Sequence, residues 1–280
     1  MTKLLDTHQH LLYRDRLAYA WADGLPALAG RSFTLADYQR LTSGRGVEGT
    51  IFMEADASDY RAETRTICAL MRQPEAGLLG VISSCRPEDD SFAAWLDECA
   101  SLPVVGFRRI LHEVPNDVSQ GDTFRANIRR LTGAGKPFDL VFRADQLPLA
   151  ADLARACPEV QFVLDHCGVP DIAGGGFDTW ADDLGAVAGC DNVVCKISGV
   201  LAYCAPDNAH AEAIRPYVAH VIDSFTPARC LWGSDWPVVN LTSSLPDWIA
   251  AFRSLVADLS DSERAAICHG TAERIYGVKL

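Results

Sequence analysis

The sequence predicts an α/β protein, specifically a (β/α)8 TIM barrel. Three observations support this fold class. Short apolar runs alternate with segments of helical periodicity, eight such runs can be counted, and 280 residues are enough for one complete barrel.

The apolar runs predict strands that are buried on both faces. Parallel strands covered by helices are expected to be continuous in Val, Ile, Leu and Phe rather than alternating with polar residues. In chain order, the predicted strands span residues 3–8, 49–54, 77–83, 104–110, 138–142, 161–165, 193–197 and 230–233.

The segments between these runs predict helices, because apolar residues recur every three or four positions. Pro158 closes one of them, since proline cannot continue a helix. The predicted helices span residues 62–72, 91–100, 124–131, 148–157, 179–188, 211–225, 245–259 and about 262–276.

No linker, repeat or low-complexity stretch interrupts the chain, so we expect one domain over residues 1–280. A doubly wound open sheet is the rival architecture, but it usually carries a glycine-rich phosphate turn directly after a strand. Gly174-Gly175-Gly176 lies instead within a long loop after strand six. Residues 11–48, between the first two strands, are a candidate cover for the barrel mouth.

Composition excludes several classes of partner. The formal net charge of −12 argues against nucleic acid, because phosphates would be repelled. No signal segment and no run of ~18 apolar residues is found, so we expect a cytoplasmic protein without a membrane partner. The ten cysteines form no C-x-x-C pair, which predicts buried thiols rather than a zinc ribbon or redox site.

Strand one ends in a histidine pair. Catalytic groups of a TIM barrel lie at the carboxyl ends of its strands, and the period of a strand places His8 and His10 on the same inward side. Two neighbouring imidazoles can share a metal ion or hold a substrate oxygen. The alternative is a pair of structural histidines.

Strands six and eight end in further candidates. Asp165 and His166 are expected to point to opposite sides of strand six, and we choose His166 as the residue that faces the centre. After strand eight, Asp235 supplies a carboxylate suited to a general base or a metal ligand. The alternative for Asp235 is a turn residue before Pro237.

Charged residues also lie at the ends of other predicted strands. Arg108 and Arg109 should point apart on strand four, so that one can grip an oxyanion. Glu54, Lys196 and Arg143 are open between substrate contact and a salt bridge at the rim. The chain lacks a G-x-S-x-G motif, which argues against an α/β-hydrolase triad, and strand five lacks the ligands of a binuclear metal centre.

Taken in order, these motifs resemble the amidohydrolase superfamily, in particular the amidohydrolase-2 branch. That branch contains sugar-acid lactonases of the L-fuconolactonase and L-rhamnonolactonase type and 2-pyrone-4,6-dicarboxylate lactonase. The resemblance covers nearly the whole chain and implies a metal-dependent-hydrolase-like barrel. It rests on Asp6-Thr7-His8-Gln9-His10, Val105-Gly106-Phe107-Arg108, Leu164-Asp165-His166, Cys195-Lys196-Ile197-Ser198-Gly199, Trp232-Gly233-Ser234-Asp235-Trp236-Pro237 and Ala272-Glu273-Arg274-Ile275-Tyr276-Gly277.

The resemblance implies hydrolysis of a sugar-acid lactone such as L-fucono- or L-rhamnono-lactone, with Asp235 deprotonating water. It implies either one divalent ion, zinc or manganese, or none. The metal ligands would be His8, His10, His166 and Asp235, and we expect substrate contacts from Arg108, Arg109, Trp236, Lys196, Glu54 and Trp21.

Several alternatives stay open. They are a 2-pyrone-dicarboxylate-type lactonase, a decarboxylase or amide hydrolase of the same superfamily, and a barrel that only binds sugar acids. Two departures from the sugar-lactonase pattern are Arg109, where histidine is expected, and His112, where glutamine is common. The expected partner is a small-molecule lactone, and a homo-oligomer is left open.

Overall fold

The computed structural model describes residues 2–73 and 77–280. Within them, eight parallel strands follow one another around a barrel, each paired with the next in chain order. This confirms the predicted (β/α)8 barrel, and the predicted strand ends differ from the observed ones by at most two residues. The strands are β1 (Leu4–Gln9), β2 (Val47–Met53), β3 (Leu78–Ser84), β4 (Val104–Ile110), β5 (Phe138–Val141), β6 (Phe162–Leu164), β7 (Val193–Ile197) and β8 (Cys230–Trp232).

Helices surround the barrel, and the 11–48 segment adds two of its own. Among the described residues, no helix combines the length and apolar character needed to cross a bilayer. The helices are α1 (Ala20–Asp23), α2 (Leu35–Thr42), α3 (Tyr60–Leu70), α4 (Phe92–Cys99), α5 (Asp122–Ala134), α6 (Leu147–Ala156), α7 (Phe177–Ala188), α8 (Ala211–Phe225), α9 (Leu245–Leu255), α10 (Asp261–Ala265) and α11 (Thr271–Tyr276).

The last helix differs from its prediction. Instead of one helix over about 262–276, a wide π-helical turn at Ala266–Gly270 separates α10 from α11. Such a turn holds more residues than an α-helical turn and therefore changes the direction in which the following side chains point. In α11 this direction brings Tyr276 onto Asp139 of β5, to which its hydroxyl donates a hydrogen bond at 2.9 Å.

Apolar packing occurs in two layers. The larger cluster lies between the strands and the surrounding helices and includes Phe107, Phe138 and Trp232. A smaller cluster fills the lower interior of the barrel, where Leu5 and Leu231 pack with residues of α11. Each fully buried large apolar side chain contributes about 1.5–3 kcal/mol to stability, so α11 closes the floor and leaves the other end of the barrel for polar groups.

The seam between β1 and β8 is held largely by hydrogen bonds at the barrel mouth. The Asp6 Oδ1 atom accepts from the backbone N–H groups of His8 (3.1 Å) and Ser234 (2.8 Å). The N–H of Asp235 donates to the carbonyl of His8 at 2.7 Å. The bonds that close the barrel therefore position β1 and the residues after β8 against each other.

Candidate active site

A cavity of about 350 Å³ opens at the carboxyl ends of the strands. Polar groups after β1, β4, β6 and β8 converge on it, as expected for a catalytic face. Its described lining residues are His10, Trp21, Ala55, Asp56, Arg108, Ile110, His112, Glu113, Val141, Arg143, His166, Val169, Tyr203, Asp235 and Val238.

Asp235 lies among three histidines. Its Oδ1 atom is 3.3 Å from His10 Nε2 and 3.7 Å from His8 Nε2, and its Oδ2 atom is 3.8 Å from His166 Nδ1. The backbone of Asp235 has a φ of 54°, in the left-handed region. This turn out of β8 directs the carboxylate back over the barrel axis, so the four residues chosen from the sequence form one cluster.

Hydrogen bonds fix which nitrogen of His10 carries a proton. His10 Nδ1 lies 3.0 Å from the carbonyl oxygen of Met53, which can only accept, so Nδ1 must be the donor. In the neutral imidazole, Nε2 is then an acceptor that faces the Asp235 carboxylate. Two acceptors this close favour a proton or a cation between them.

His8 is oriented in the same way by carboxylate and guanidinium groups. Its Nδ1 lies 3.4 Å from Asp165 Oδ1, and its Nε2 lies 3.3 Å from Nη1 of Arg108, which can only donate. A neutral His8 therefore donates from Nδ1 and accepts at Nε2. Burial is the largest cause that lowers the pKa of His8 well below its usual value, and it outweighs the opposing charge of Asp165.

His166 leaves β6 in a left-handed conformation, with a φ of 55°. Its Nδ1 is 3.0 Å from the Ser198 hydroxyl, and burial lowers its pKa. Gly199 follows with a φ of 69°, and a Cβ there would lie 2.6 Å from His166 Nδ1 and 2.8 Å from Asp235 Oδ2. Only glycine leaves room for both side chains.

The expectation that only one of Asp165 and His166 faces the centre is wrong. Pairing of β6 ends at Leu164, and the left-handed residues that follow break the two-residue period of a strand. Asp165 therefore also points inward, where it contacts His8 and Arg108. Burial opposes its ionisation, but Lys196 and His8 outweigh burial and hold the pKa of Asp165 well below its usual range.

Arg108 and Lys196 belong to a buried ionic network beneath the cavity. Arg108 Nε donates to Glu54 at 2.6 Å and its Nη1 lies 3.3 Å from Asp165. Lys196 Nζ lies 2.5 Å from Asp139 and 3.0 Å from Asp165. Burial raises the pKa of Asp139 to about 7, although Lys196 opposes that shift.

This network corrects two of the expected substrate contacts. Glu54 and Lys196 are fully buried, and neither is among the described residues that line the cavity. Each forms ion pairs with other buried side chains. Each therefore supports the site from below the cavity and does not contact a ligand.

Two further side chains that were expected to contact the substrate lie away from the cavity. Arg109 points away from Arg108, as predicted for neighbours on a strand, and pairs with Glu88 at 2.8 Å outside the described cavity lining. Trp236 is buried against Phe33 and Tyr38 behind the site. Trp21 does line the cavity, and its indole N–H donates to the Ala55 carbonyl at 2.7 Å.

Sequence reasoning missed several groups of the site. Tyr203 and Asp56 line the cavity, and Asp139 anchors Lys196. The Ser198-Gly199 pair at the end of β7 was the available signal for the pocket that holds His166. Nothing in the sequence pairs Asp139 with Lys196, which lie 57 positions apart.

The histidine and carboxylate groups fit one divalent metal ion. Single ligand atoms of His8, His10 and Asp235 lie within 4.8 Å of one another, as do those of His8, Asp165 and His166. Imidazole nitrogens with a carboxylate oxygen form a donor set that suits zinc. The Asp165 contact to His8 Nδ1 is of the kind that orients a metal-bound histidine.

Comparisons with known proteins agree on one family. The family model described as amidohydrolase matches residues 5–278. An L-fucono-1,5-lactonase from Burkholderia ambifaria is 27% identical over 293 residues, which cover 99% of this chain and 97% of that protein. A 2-pyrone-4,6-dicarboxylate hydrolase from Comamonas testosteroni is 32% identical over 127 residues, 42% of this chain and 41% of that protein.

A solved structure shows the same architecture. It is an amidohydrolase from Burkholderia multivorans with bound zinc, which is 25% identical in sequence and superposes with a TM-score of 0.91. The match covers 99% of this chain and 100% of that one.

Proposed function

Because the chain belongs to the amidohydrolase family, we propose that it hydrolyses the lactone of a sugar acid, such as L-fucono- or L-rhamnono-lactone. The observation that carries the proposal is the position of Asp235, whose carboxylate faces three histidines at the mouth of the barrel. The nearly full-length similarity to an L-fucono-1,5-lactonase supports the choice of substrate class.

In this mechanism Asp235 is the general base. Water bound between its carboxylate and the His10 Nε2 acceptor can donate one proton to each, which holds an oxygen lone pair toward the lactone carbonyl. Asp235 takes the proton as the water attacks. His8, held by Asp165 and Arg108, lies beneath Asp235 with its Nε2 atom 3.7 Å from Oδ1.

His166 stabilises the developing oxyanion. When its Nδ1 accepts a hydrogen bond from the Ser198 hydroxyl, the neutral imidazole carries its own proton on Nε2 and can donate a hydrogen bond toward the cavity. Arg108 adds positive potential, although Glu54 and Asp165 already bind its guanidinium. As the oxyanion collapses back to a carbonyl, the bond between the acyl carbon and the ring oxygen breaks. The ring oxygen leaves as a hydroxyl by taking the proton held on Asp235, and the product is the open hydroxy acid.

We assign His8, His10, His166 and Asp235 as the groups that would hold a divalent ion, with zinc the first candidate. Bound there, the ion would lower the pKa of a coordinated water and polarise the lactone carbonyl.

A carboxylated lactone of the 2-pyrone-4,6-dicarboxylate type is the second candidate. Arg108 and Arg143 both line the cavity, and guanidinium groups bind carboxylates. This candidate ranks second because Arg108 is already engaged by two buried carboxylates, and Arg143 lies 3.4 Å from Asp145.

The test is proton release on mixing the purified protein with a panel of aldono-lactones and with 2-pyrone-4,6-dicarboxylate, with and without a chelator. We expect turnover of at least one sugar lactone. Asp235→Asn should lower kcat by roughly 10²–10⁴-fold, the contribution of a positioned general base. Asp182→Asn, which changes an exposed aspartate, is the matched control.

Two outcomes would contradict the proposal. One is the absence of turnover of every lactone with zinc or manganese supplied. The other is near-normal turnover by a folded Asp235→Asn variant. Preference for the dicarboxylate would select the second candidate, and loss of activity in the chelator would assign the metal a role in the reaction.

A further inference from the structure

A second compartment of about 440 Å³ lies beside the active-site cavity. Arg143, Val169 and Tyr203 line both spaces, so the two are neighbours that share a wall. The second compartment is otherwise lined by Ala144, Asp145, Pro170 and Asp171.

Tyr203 connects this compartment to the reaction centre. Its ring meets the His166 ring edge-on, with the centroids 6.3 Å apart. Its backbone carbonyl accepts a hydrogen bond from Ala173 at 3.1 Å, which ties the loop after β6 to the turn after β7. The Tyr203 ring therefore stands between the second compartment and His166.

The outer wall is a folded turn around Asp171. The Asp171 Oδ1 atom accepts from the N–H of Gly174 at 2.9 Å, and its carbonyl accepts from the N–H of Gly176 at 3.0 Å. A Cβ on Gly174 would lie 2.2 Å from Asp171 Oδ2, so glycine is required for this turn. The glycine-rich loop thus shapes the compartment.

The charges of the compartment favour a neutral occupant. Asp145 lies 3.4 Å from the Arg143 guanidinium and offsets its charge, while Asp171 adds a further carboxylate. An anionic group would be repelled, whereas hydroxyl groups can donate to carboxylate oxygens. Tyr203 and Pro170 supply flat apolar surface of the kind that packs against a sugar ring.

Size points the same way. A lactone of one sugar has only about a dozen non-hydrogen atoms, whereas cavities of roughly 300–1,000 Å³ accept drug-sized ligands. A single sugar ring fits within the first cavity, so only a ligand longer than one ring would occupy both spaces.

We propose that the second compartment is a subsite for a neutral sugar ring attached to the lactone, so that the preferred substrates are lactones of disaccharide aldonic acids. The subsite rests on the proposed lactonase function. Binding energy from the distal ring would orient the lactone carbonyl at Asp235 and raise kcat/KM.

The first experiment compares kcat/KM of the wild-type protein for a monosaccharide aldono-lactone and for disaccharide aldono-lactones of several linkages, by proton release. We expect at least one disaccharide lactone to be preferred by roughly tenfold, the value of a modest pocket contact. If the monosaccharide lactone is hydrolysed and no disaccharide lactone is preferred, the subsite is refuted while the lactonase function stands. If no lactone is hydrolysed, both proposals fail.

A substitution in the second compartment tests whether the preference for a disaccharide lactone arises there. Ala144→Trp places a large side chain in the second compartment, which Ala144 lines without lining the first cavity. The ratio of kcat/KM for the disaccharide to the monosaccharide lactone should fall by roughly tenfold. Ala257→Trp, at an exposed alanine, is the control and should leave the ratio unchanged. An equal ratio in both variants would overturn the assignment of the compartment.

Discussion

Gly199 separates the two side chains proposed as catalytic, because no larger residue fits between His166 and Asp235. We predict that Gly199→Ala displaces one of them and lowers kcat/KM by roughly 10²-fold, as a misplacement of about 1 Å can do. Gly135→Ala is the control, because Gly135 has a similar φ of 62° and no atom within 4 Å of an added Cβ.

Both glycine variants should lose about 1–2 kcal/mol of stability, since both place alanine in the left-handed region. Urea denaturation measures the loss of stability that both variants share. Lactone turnover measures the loss of activity that is specific to Gly199→Ala. Equal activity in the two variants would show that Gly199 is required only for backbone conformation.

Glu63 of α3 is a buried carboxyl whose Oε1 atom has no partner among the described residues. Burial, and then the charge of Glu54, raise the pKa of Glu63 well above its usual value. The folded protein therefore keeps a proton that the unfolded chain loses above about pH 4.5. The contribution of this proton to the free energy of unfolding is fully present below that pH. It falls as pH rises, by up to about 1.4 kcal/mol per pH unit.

We predict that Glu63→Gln removes this dependence and is relatively more stable than the wild type as pH rises from 5 to 8, by urea denaturation. Glu98→Gln is the control, because Glu98 is exposed and Arg65 lowers its pKa. Parallel stability curves for wild type and Glu63→Gln would contradict the assignment.

The period of β1 predicted the direction of His8 and His10, and the position of Asp235 just after β8 predicted only that it lies at the barrel mouth. The left-handed turn at Asp235 then directs its carboxylate inward. Residue spacing could not predict the inward position of Asp165. That position depends on the left-handed backbone of His166, for which the sequence carries no distinct signal.

At the scale of elements, Lys196 of β7 joins β5 and β6 through Asp139 and Asp165. We predict that Lys196→Met lowers the free energy of unfolding by about 3–5 kcal/mol, because it leaves buried carboxylates without their cation. Lys3→Met is the control: its partner Glu48 is 2.7 Å away but exposed, so the loss should be within about 1 kcal/mol.

Chemical denaturation of the two lysine variants tests how much the Lys196 network contributes to stability. If Lys196→Met loses no more stability than Lys3→Met, the network contributes little to stability and Lys196 has another role, such as ligand contact. The wild type and Lys3→Met should remain indistinguishable in lactone turnover.

The elements themselves were largely predictable, because continuous apolar runs identify buried parallel strands. The break between α10 and α11 was not, since residues 262–276 keep helical periodicity across the π-helical turn. The partners of Lys196 were also hidden, because barrel closure, rather than local sequence, brings β5, β6 and β7 together.

At the scale of the whole molecule, Asp6 holds the seam of the barrel. We predict that Asp6→Ala is strongly destabilising, because it removes the acceptor for the N–H groups of His8 and Ser234, each worth about 1–3 kcal/mol when left unpaired. Asp6→Asn keeps an acceptor oxygen and should lose less.

Urea unfolding and lactone turnover measured on both variants test this role. We expect stability and activity to fall together in Asp6→Ala, since the seam and the site share the residues around His8 and Asp235. A stable but inactive Asp6→Ala protein would show that the seam is closed by other bonds and that Asp6 acts on the chemistry.

The seam also has a consequence for the order of events during synthesis. Asp6 and Ser234 are 228 positions apart, so the first strand emerges from the ribosome long before its last neighbour exists. Until β8 has been synthesised, His8 and His10 have no Asp235 to face, even if the earlier strands have already paired. Contacts of such long range form late. We therefore expect the proposed lactonase activity to be acquired in a single late step, and a nascent or truncated chain that ends before β8 to hydrolyse no lactone.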